Sequence, residues 1–205
     1  MIALIDYGIG NLQAFLNLYE RLHIPVIVAK TTEHIEQADK LILPGVGHFD
    51  HAMQLFNASP MRDAVVNRVI HDKVPILGIC VGMQMLAFAS EEGMEPGLGW
   101  IPGYVRSLKH VLAHTHLPMP HMGWNDVVAD KNTPLFKNFA SDDARFYFLH
   151  SYYFEPEHSD FCIAQCDYGI SFSCAVSKGN VFGVQFHPEK SHHFGEQLLR
   201  NFAEL

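Results

Sequence analysis

The chain has 205 residues, 48% of them hydrophobic, and a formal net charge of -8. That length suits one domain, 1–205, able to bury a sizeable core, and an acidic balance without any Lys/Arg block excludes a nucleic-acid backbone as partner. No apolar run approaches the roughly 18 residues needed to cross a bilayer, and the segment from Met1 to Asp6 meets an acid at once, so it reads as a strand and not as a leader.

In chain order, Ile2 to Asp6 is a predicted strand, Asn11 to Leu22 a helix with apolar residues at helical spacing, and Val26 to Ala29 a second strand. The turn Asp6-Tyr7-Gly8-Ile9-Gly10-Asn11 follows a strand and opens a helix, which invites a dinucleotide reading. Gln13 stands where the third glycine is needed, however, and Val28, Ala29 and Lys30 offer no ribose-binding acid. Lys40 to Leu43 is a third strand, followed by the loop Pro44-Gly45-Val46-Gly47 and by helices over about 49–56 and 61–71. Strand and helix in turn imply βαβ units and a mostly parallel sheet covered on both faces. From Ile101 to Phe186 the segments are mostly strands, among them 145–150, 161–166 and 181–186, and a helix returns over about 191–204. The expected fold class is α/β, a mostly parallel central sheet flanked by helices with an added β-rich second half.

The apolar strand ending at Ile79 runs into Gly78-Ile79-Cys80-Val81-Gly82-Met83-Gln84, and a helical pattern follows from Met83 to Ala89. A strand that reverses sharply into a helix crowds the residues beside the nucleophile, so the G-x-C-x-G spacing marks a nucleophile elbow with cysteine in it. Cys80 is expected to stand exposed at a helix N-terminus, where unpaired amides favour a thiolate. The bland reading is a buried cysteine in an ordinary turn. Far along the chain, Phe182 to Glu189 reads as a strand carrying His187, with Glu189 two positions on. Residues two apart on a strand share a side, so Glu189 reaches the back of the His187 ring, completing a nucleophile, base and orienter. The glycine loop at 44–47 lets backbone amides approach a ligand, so Gly45, Val46 and Gly47 are candidate oxyanion donors opposite the Val81 amide.

The four cysteines, Cys80, Cys162, Cys166 and Cys174, fit reduced core thiols in a cytoplasmic protein better than a disulfide framework. No Cys or His pairs stand at zinc spacing, and the histidines between His110 and His121 are irregularly placed, so no metal is expected.

GICVGMQ, FGVQFHPEKS and PGVG together resemble the class I, triad glutamine amidotransferases. DYGIGNL, PGVGHFDHAM, GLGWIPGYV, PHMGWN and FYFLHSYY narrow the resemblance to the glutaminase subunits of imidazole glycerol phosphate synthases, over essentially the whole chain; His48 and His51 depart from the pattern after PGVG. The resemblance implies a flavodoxin-like fold and a glutaminase in which Cys80 attacks the glutamine carboxamide, His187 moves protons and Glu189 holds the imidazole. It implies a glutamine pocket at Gln84, His150, Ser151 and Tyr152, and no cofactor. It also implies a heterodimer with a (β/α)8-barrel cyclase that uses the ammonia in histidine biosynthesis. Asn11, Pro120, Met122, Trp124, Tyr147 and Lys190 would lie on the docking and ammonia-exit face, unless Met122 and Trp124 are core residues. Two rival readings stay open: a paralogous glutaminase serving another synthase, such as a sugar-amidating enzyme, and a non-catalytic thiol protein of similar fold.

Overall fold

The computed structural model describes residues 1–139 and 144–205. β1 (Ile2–Ile5) leads to α1 (Leu12–Arg21), β2 (Val26–Ala29), α2 (Thr32–Glu36) and β3 (Lys40–Gly45). Next come α3 (Phe49–Ala58), α4 (Arg62–Ile70), β4 (Ile76–Cys80), α5 (Val81–Gln84) and β5 (Ala89–Ser90). The second half holds β6 (Gly103–Ser107), α6 (Leu108–Val111), β7 (His121–Asp126), β8 (Val128–Ala129), β9 (Arg145–His150) and β10 (Tyr152–Pro156). It closes with β11 (Cys162–Asp167), β12 (Ser171–Lys178), β13 (Val181–Val184) and α7 (His192–Ala203).

The main sheet runs β2-β1-β3-β4-β13-β12-β10-β6-β5, with β11 and β8 joined beyond β12. From β2 to β13 every pairing is parallel. From β13 through β12 and β10 to β6 the pairings are antiparallel, so the sheet is mixed and the β-rich second half is largely its extension. β7 and β9 form a separate antiparallel ribbon. The parallel strands read as continuous apolar runs because both faces are covered, and all of β1 and β4 is buried. α1 forms where expected: the Asn11 carboxamide oxygen accepts from the Ala14 N–H, and Phe15, Leu18 and Tyr19 turn one buried face inward.

Three local expectations are corrected. α2 and α6 interrupt stretches read as loop or strand; each is one turn or so, started by the side chain of Thr31 or Ser107, and too short to show a periodic pattern. The helix expected over 83–89 is α5, which ends at Gln84. Beyond it the carbonyls of Met85, Leu86 and Ala87 accept from the amides of Leu98, Ile101 and Gly99, so a returning loop takes the bonds a longer helix would have made. The strand expected to carry His187 ends at Val184, and Pro188–Lys190 is a 3-10 turn.

Candidate active site

Cys80 ends β4, and Val46 and His187 follow the carboxyl ends of the neighbouring parallel strands β3 and β13, the usual place for a site in such a sheet. At Cys80 the chain turns with φ 55° and ψ -114°, a backbone that non-glycine residues adopt only when their surroundings hold them there. The surroundings are glycines. A methyl group at Gly82 would overlap the Leu43 carbonyl oxygen, one at Gly45 the Gly82 amide, and one at Gly78 would come within 2.5 Å of the Gly82 carbonyl oxygen. The elbow therefore interlocks with β3. Gly45 serves that close approach from inside β3 and lies off the cavity wall, while Val46 and Gly47 line it.

Cys80 was expected to be exposed and is 5% accessible. Its opening is inward, onto a cavity of about 330 Å³ whose wall includes Cys80, Val81, Gln84, His150, Ser151, Tyr152 and His187. A cavity of this size belongs to the range of small-molecule sites. The sequence passed over three residues in and behind this wall, Glu92, Leu149 and Ser191. Among the described residues Glu92 is the one carboxylate in the wall, and it spends one oxygen on the Phe49 N–H. Leu149 lines the cavity and offers Cys80 a carbonyl 3.9 Å from Sγ. Ser191, fully buried, donates to the His187 carbonyl at 2.6 Å and accepts from the Tyr147 N–H at 3.0 Å.

His187 Nδ1 lies 2.8 Å from Glu189 Oε1. The pairing was expected from strand alternation and is made instead by the 3-10 turn, which folds the carboxylate back under the ring. Because a carboxylate only accepts, Nδ1 carries the hydrogen and Nε2 is left for the cavity. Burial opposes charge on this ring, but Cys80 and Glu189 outweigh it and hold the His187 pKa up to about 10.

Two more histidines sit side by side, His150 in the wall and His121 next to it. His150 Nδ1 is 2.8 Å from the Tyr152 carbonyl and must donate to it, so its Nε2 accepts from His121 Nδ1 at 2.8 Å. The Asn125 carboxamide donates to the remaining nitrogen of His121. Burial pushes the pKa of His121 down to about 4 and, helped by its histidine neighbours, that of His150 to about 3. These two bind no proton where an unfolded histidine does, so they favour unfolding as pH falls from about 6.5 toward 4. His187 has the opposite sign: it stabilises fully below about 6.5, and that contribution fades as pH rises toward 10. Thermal melts are therefore expected to peak near pH 6.5, with His121 and His150 each costing roughly 1–2 kcal/mol by pH 5. A His121→Phe variant whose melts decline as steeply as the parent's on acidification would remove His121 from this account.

The expected docking residues fall into two groups. Met122 and Trp124 project outward from β7, 64% and 40% exposed, so neither is a core residue. Trp124 stacks on His192 and meets the Tyr147 ring edge-on, and Lys190 lies over Tyr147. Pro120 and Lys190 also line the cavity, which links this face to Cys80. Asn11 caps α1, which packs against the turn at Pro188–Lys190. Among the described residues, no group of three or more His, Cys, Asp and Glu side chains is placed to hold a metal, and no helix is long and apolar enough to cross a membrane.

The profile of the family described as glutamine amidotransferase class-I matches residues 3–205. The imidazole glycerol phosphate synthase subunit HisH of Bdellovibrio bacteriovorus is 57% identical over 205 residues, covering all of both chains. That of Leptospira interrogans is 47% identical with the same coverage. Among solved structures, one titled a glutamine amidotransferase superposes with a TM-score of 0.75 at 20% identity, covering 99% of this chain and 97% of its own. A glutamine amidotransferase from Thermotoga maritima gives 0.64 at 15% identity, over 99% of this chain and 82% of its own. At such identities the structures speak for the fold, which is the class I amidotransferase α/β fold with a mixed central sheet. Taken with the full-length relatives, they leave one assignment: the chain belongs to the class-I glutamine amidotransferase family, among the HisH subunits of imidazole glycerol phosphate synthase.

Proposed function

We propose that this chain is a single-domain cytoplasmic glutaminase that hydrolyses glutamine to glutamate. It hands the ammonia to a (β/α)8-barrel cyclase subunit of imidazole glycerol phosphate synthase in histidine biosynthesis; ring formation belongs to that partner. The observation that carries the reading is Cys80 and His187 facing one cavity with Glu189 behind the imidazole.

Cys80 Sγ attacks the carboxamide carbon of glutamine, and the oxygen that becomes anionic is met by the Val81 amide and the backbone at Val46 and Gly47. As the C–N bond breaks, His187 gives its Nε2 proton to the nitrogen, which leaves as ammonia. Water then yields a proton to the same nitrogen and attacks the thioester, releasing glutamate and the thiolate. Glu189 keeps the proton on Nδ1 throughout. Among the described residues the second oxygen of Glu92 takes no hydrogen bond and would meet the substrate's α-ammonium, and Gln84, His150, Ser151 and Tyr152 shape the pocket around the rest.

Met122, Trp124, Tyr147 and Lys190 supply a docking face with the aromatic and methionine character of an interface centre, with Pro120 and Asn11 at its margins. Ammonia would leave past Pro120 and Lys190. Glutaminase activity is expected to be low alone and to rise roughly 5- to 150-fold when the cyclase carries its acceptor. Equal activity with and without the cyclase would sink this coupling. Trp124→Ala is expected to weaken docking by about 2 kcal/mol, roughly 30-fold in Kd, with its melting curve almost unchanged because the ring is largely outside the core. Calorimetric titration against the cyclase, beside a melt, separates the two effects.

A further inference from the structure

Behind the nucleophile lies a fully buried carboxamide that the mechanism above does not use, Gln185. Its Nε2 is 3.7 Å from Cys80 Sγ and its Oε1 accepts from Gln84 Nε2 at 3.0 Å. An amide side chain can be turned either way about, but here donor and acceptor accounting leaves one choice. The Tyr152 carbonyl only accepts, so Gln84 must present its NH2 group there, at 3.2 Å. That same NH2 group meets Gln185, which must answer with its oxygen. The NH2 of Gln185 is thereby turned toward the sulfur. One backbone carbonyl, through Gln84, sets the polarity of the contact. Gln84 thus has both of its N–H donors engaged within the protein and only its oxygen available to a substrate.

The geometry points to Gln185 as a hydrogen-bond donor to the Cys80 sulfur that stabilises it as the thiolate, held in that sense by Gln84 and the Tyr152 carbonyl. This rests on Cys80 being the nucleophile. The short α5 helix ends after one turn and supplies little dipole, so thiolate stabilisation falls to side chains. The groups around Sγ divide the task. His187 is the cation, facing it from the turn after β13. Tyr7, from the loop after β1, donates its hydroxyl to the Pro44 carbonyl instead, and burial together with Cys80 raises its pKa. The Leu149 carbonyl on β9 takes the S–H hydrogen and so favours the thiol. Gln185 is the neutral donor among these groups, and it favours the thiolate.

The test is the pH profile of Cys80 alkylation by iodoacetamide, followed by peptide mass spectrometry so that the other three cysteines do not interfere. Gln185→Met keeps the length and apolar bulk without the donor. Loss of a hydrogen bond to a charged group should move the profile's midpoint up by about one pH unit. Gln84→Met frees Gln185 to turn its oxygen toward the sulfur, and should move the midpoint in the same direction. It carries the test if Gln185→Met does not fold. Unchanged midpoints in a folded Gln185→Met, or in Gln84→Met where only that variant folds, would overturn the assignment. The reading does not need turnover: a glutaminase-active parent with an unmoved midpoint removes Gln185 alone, whereas a Cys80→Ser protein that still hydrolyses glutamine removes the nucleophile.

Discussion

Cys80→Ser is expected to lower cyclase-stimulated glutamine hydrolysis by on the order of 10⁴-fold or more while leaving the fold and the docking face intact. The size of the loss follows from the site. Burial opposes a proton on His187, and Cys80 and Glu189 together outweigh it. A serine hydroxyl does not ionise there, so the ring loses the anion that holds its proton and the nucleophile loses its charge together. The fold should tolerate the change: serine is smaller, its Oγ can still donate to the Leu149 carbonyl and accept from Gln185, and the positive φ at position 80 is imposed by the glycines packed around it. Glutamate release measured with the cyclase present, beside a melt of the isolated chain, checks both halves. Activity within tenfold of the parent, in a folded variant, would mean that another group attacks the carboxamide.

Cys80, Gly78 and Gly82 were legible in the sequence because their chemistry is local: a sharp turn admits few residues, and the same few recur in order. The parallel half of the sheet was legible for a similar reason, since β1, β3 and β4 are apolar runs with no competing pattern. What escaped depended on partners distant in sequence. Nothing within 83–89 announces that Leu98, Gly99 and Ile101 will take its carbonyls and stop the helix after one turn. Gln185 is an unremarked polar residue in an apolar stretch until Gln84, 101 positions away, fixes its orientation. His121 read as one of an irregular run of histidines and His150 only as a pocket residue, and the register of β7 against β9, pairing these two residues directly, is what joins them. Glu189 was found through an argument about strands, yet the turn at Pro188 delivers it. A pair of types two positions apart can meet by either geometry, so the residues were easier to name than the backbone that joins them.

That turn shapes the second large effect. His187→Ala removes the proton carrier for both half-reactions and should cost roughly 10³-fold or more in kcat. Glu189→Gln should cost less, about 10- to 100-fold, because the job of its Oε1 is to accept the Nδ1 hydrogen, and a carboxamide oxygen does that as well. Glu189 Oε2 is buried without a hydrogen-bond partner among the described residues. The new NH2 group therefore displaces no existing bond when it occupies that side, and the imidazole tautomer survives. What the glutamine cannot replace is the charge. Glu189 is one of the two groups holding the His187 proton against burial, so its neutral replacement lowers that pKa, and the alkaline limb of the kcat profile should move to lower pH. His187→Ala would show no such limb. Equal losses in the two variants, or an alkaline limb unmoved in Glu189→Gln, would mean that the carboxylate does more than orient and charge-balance the ring.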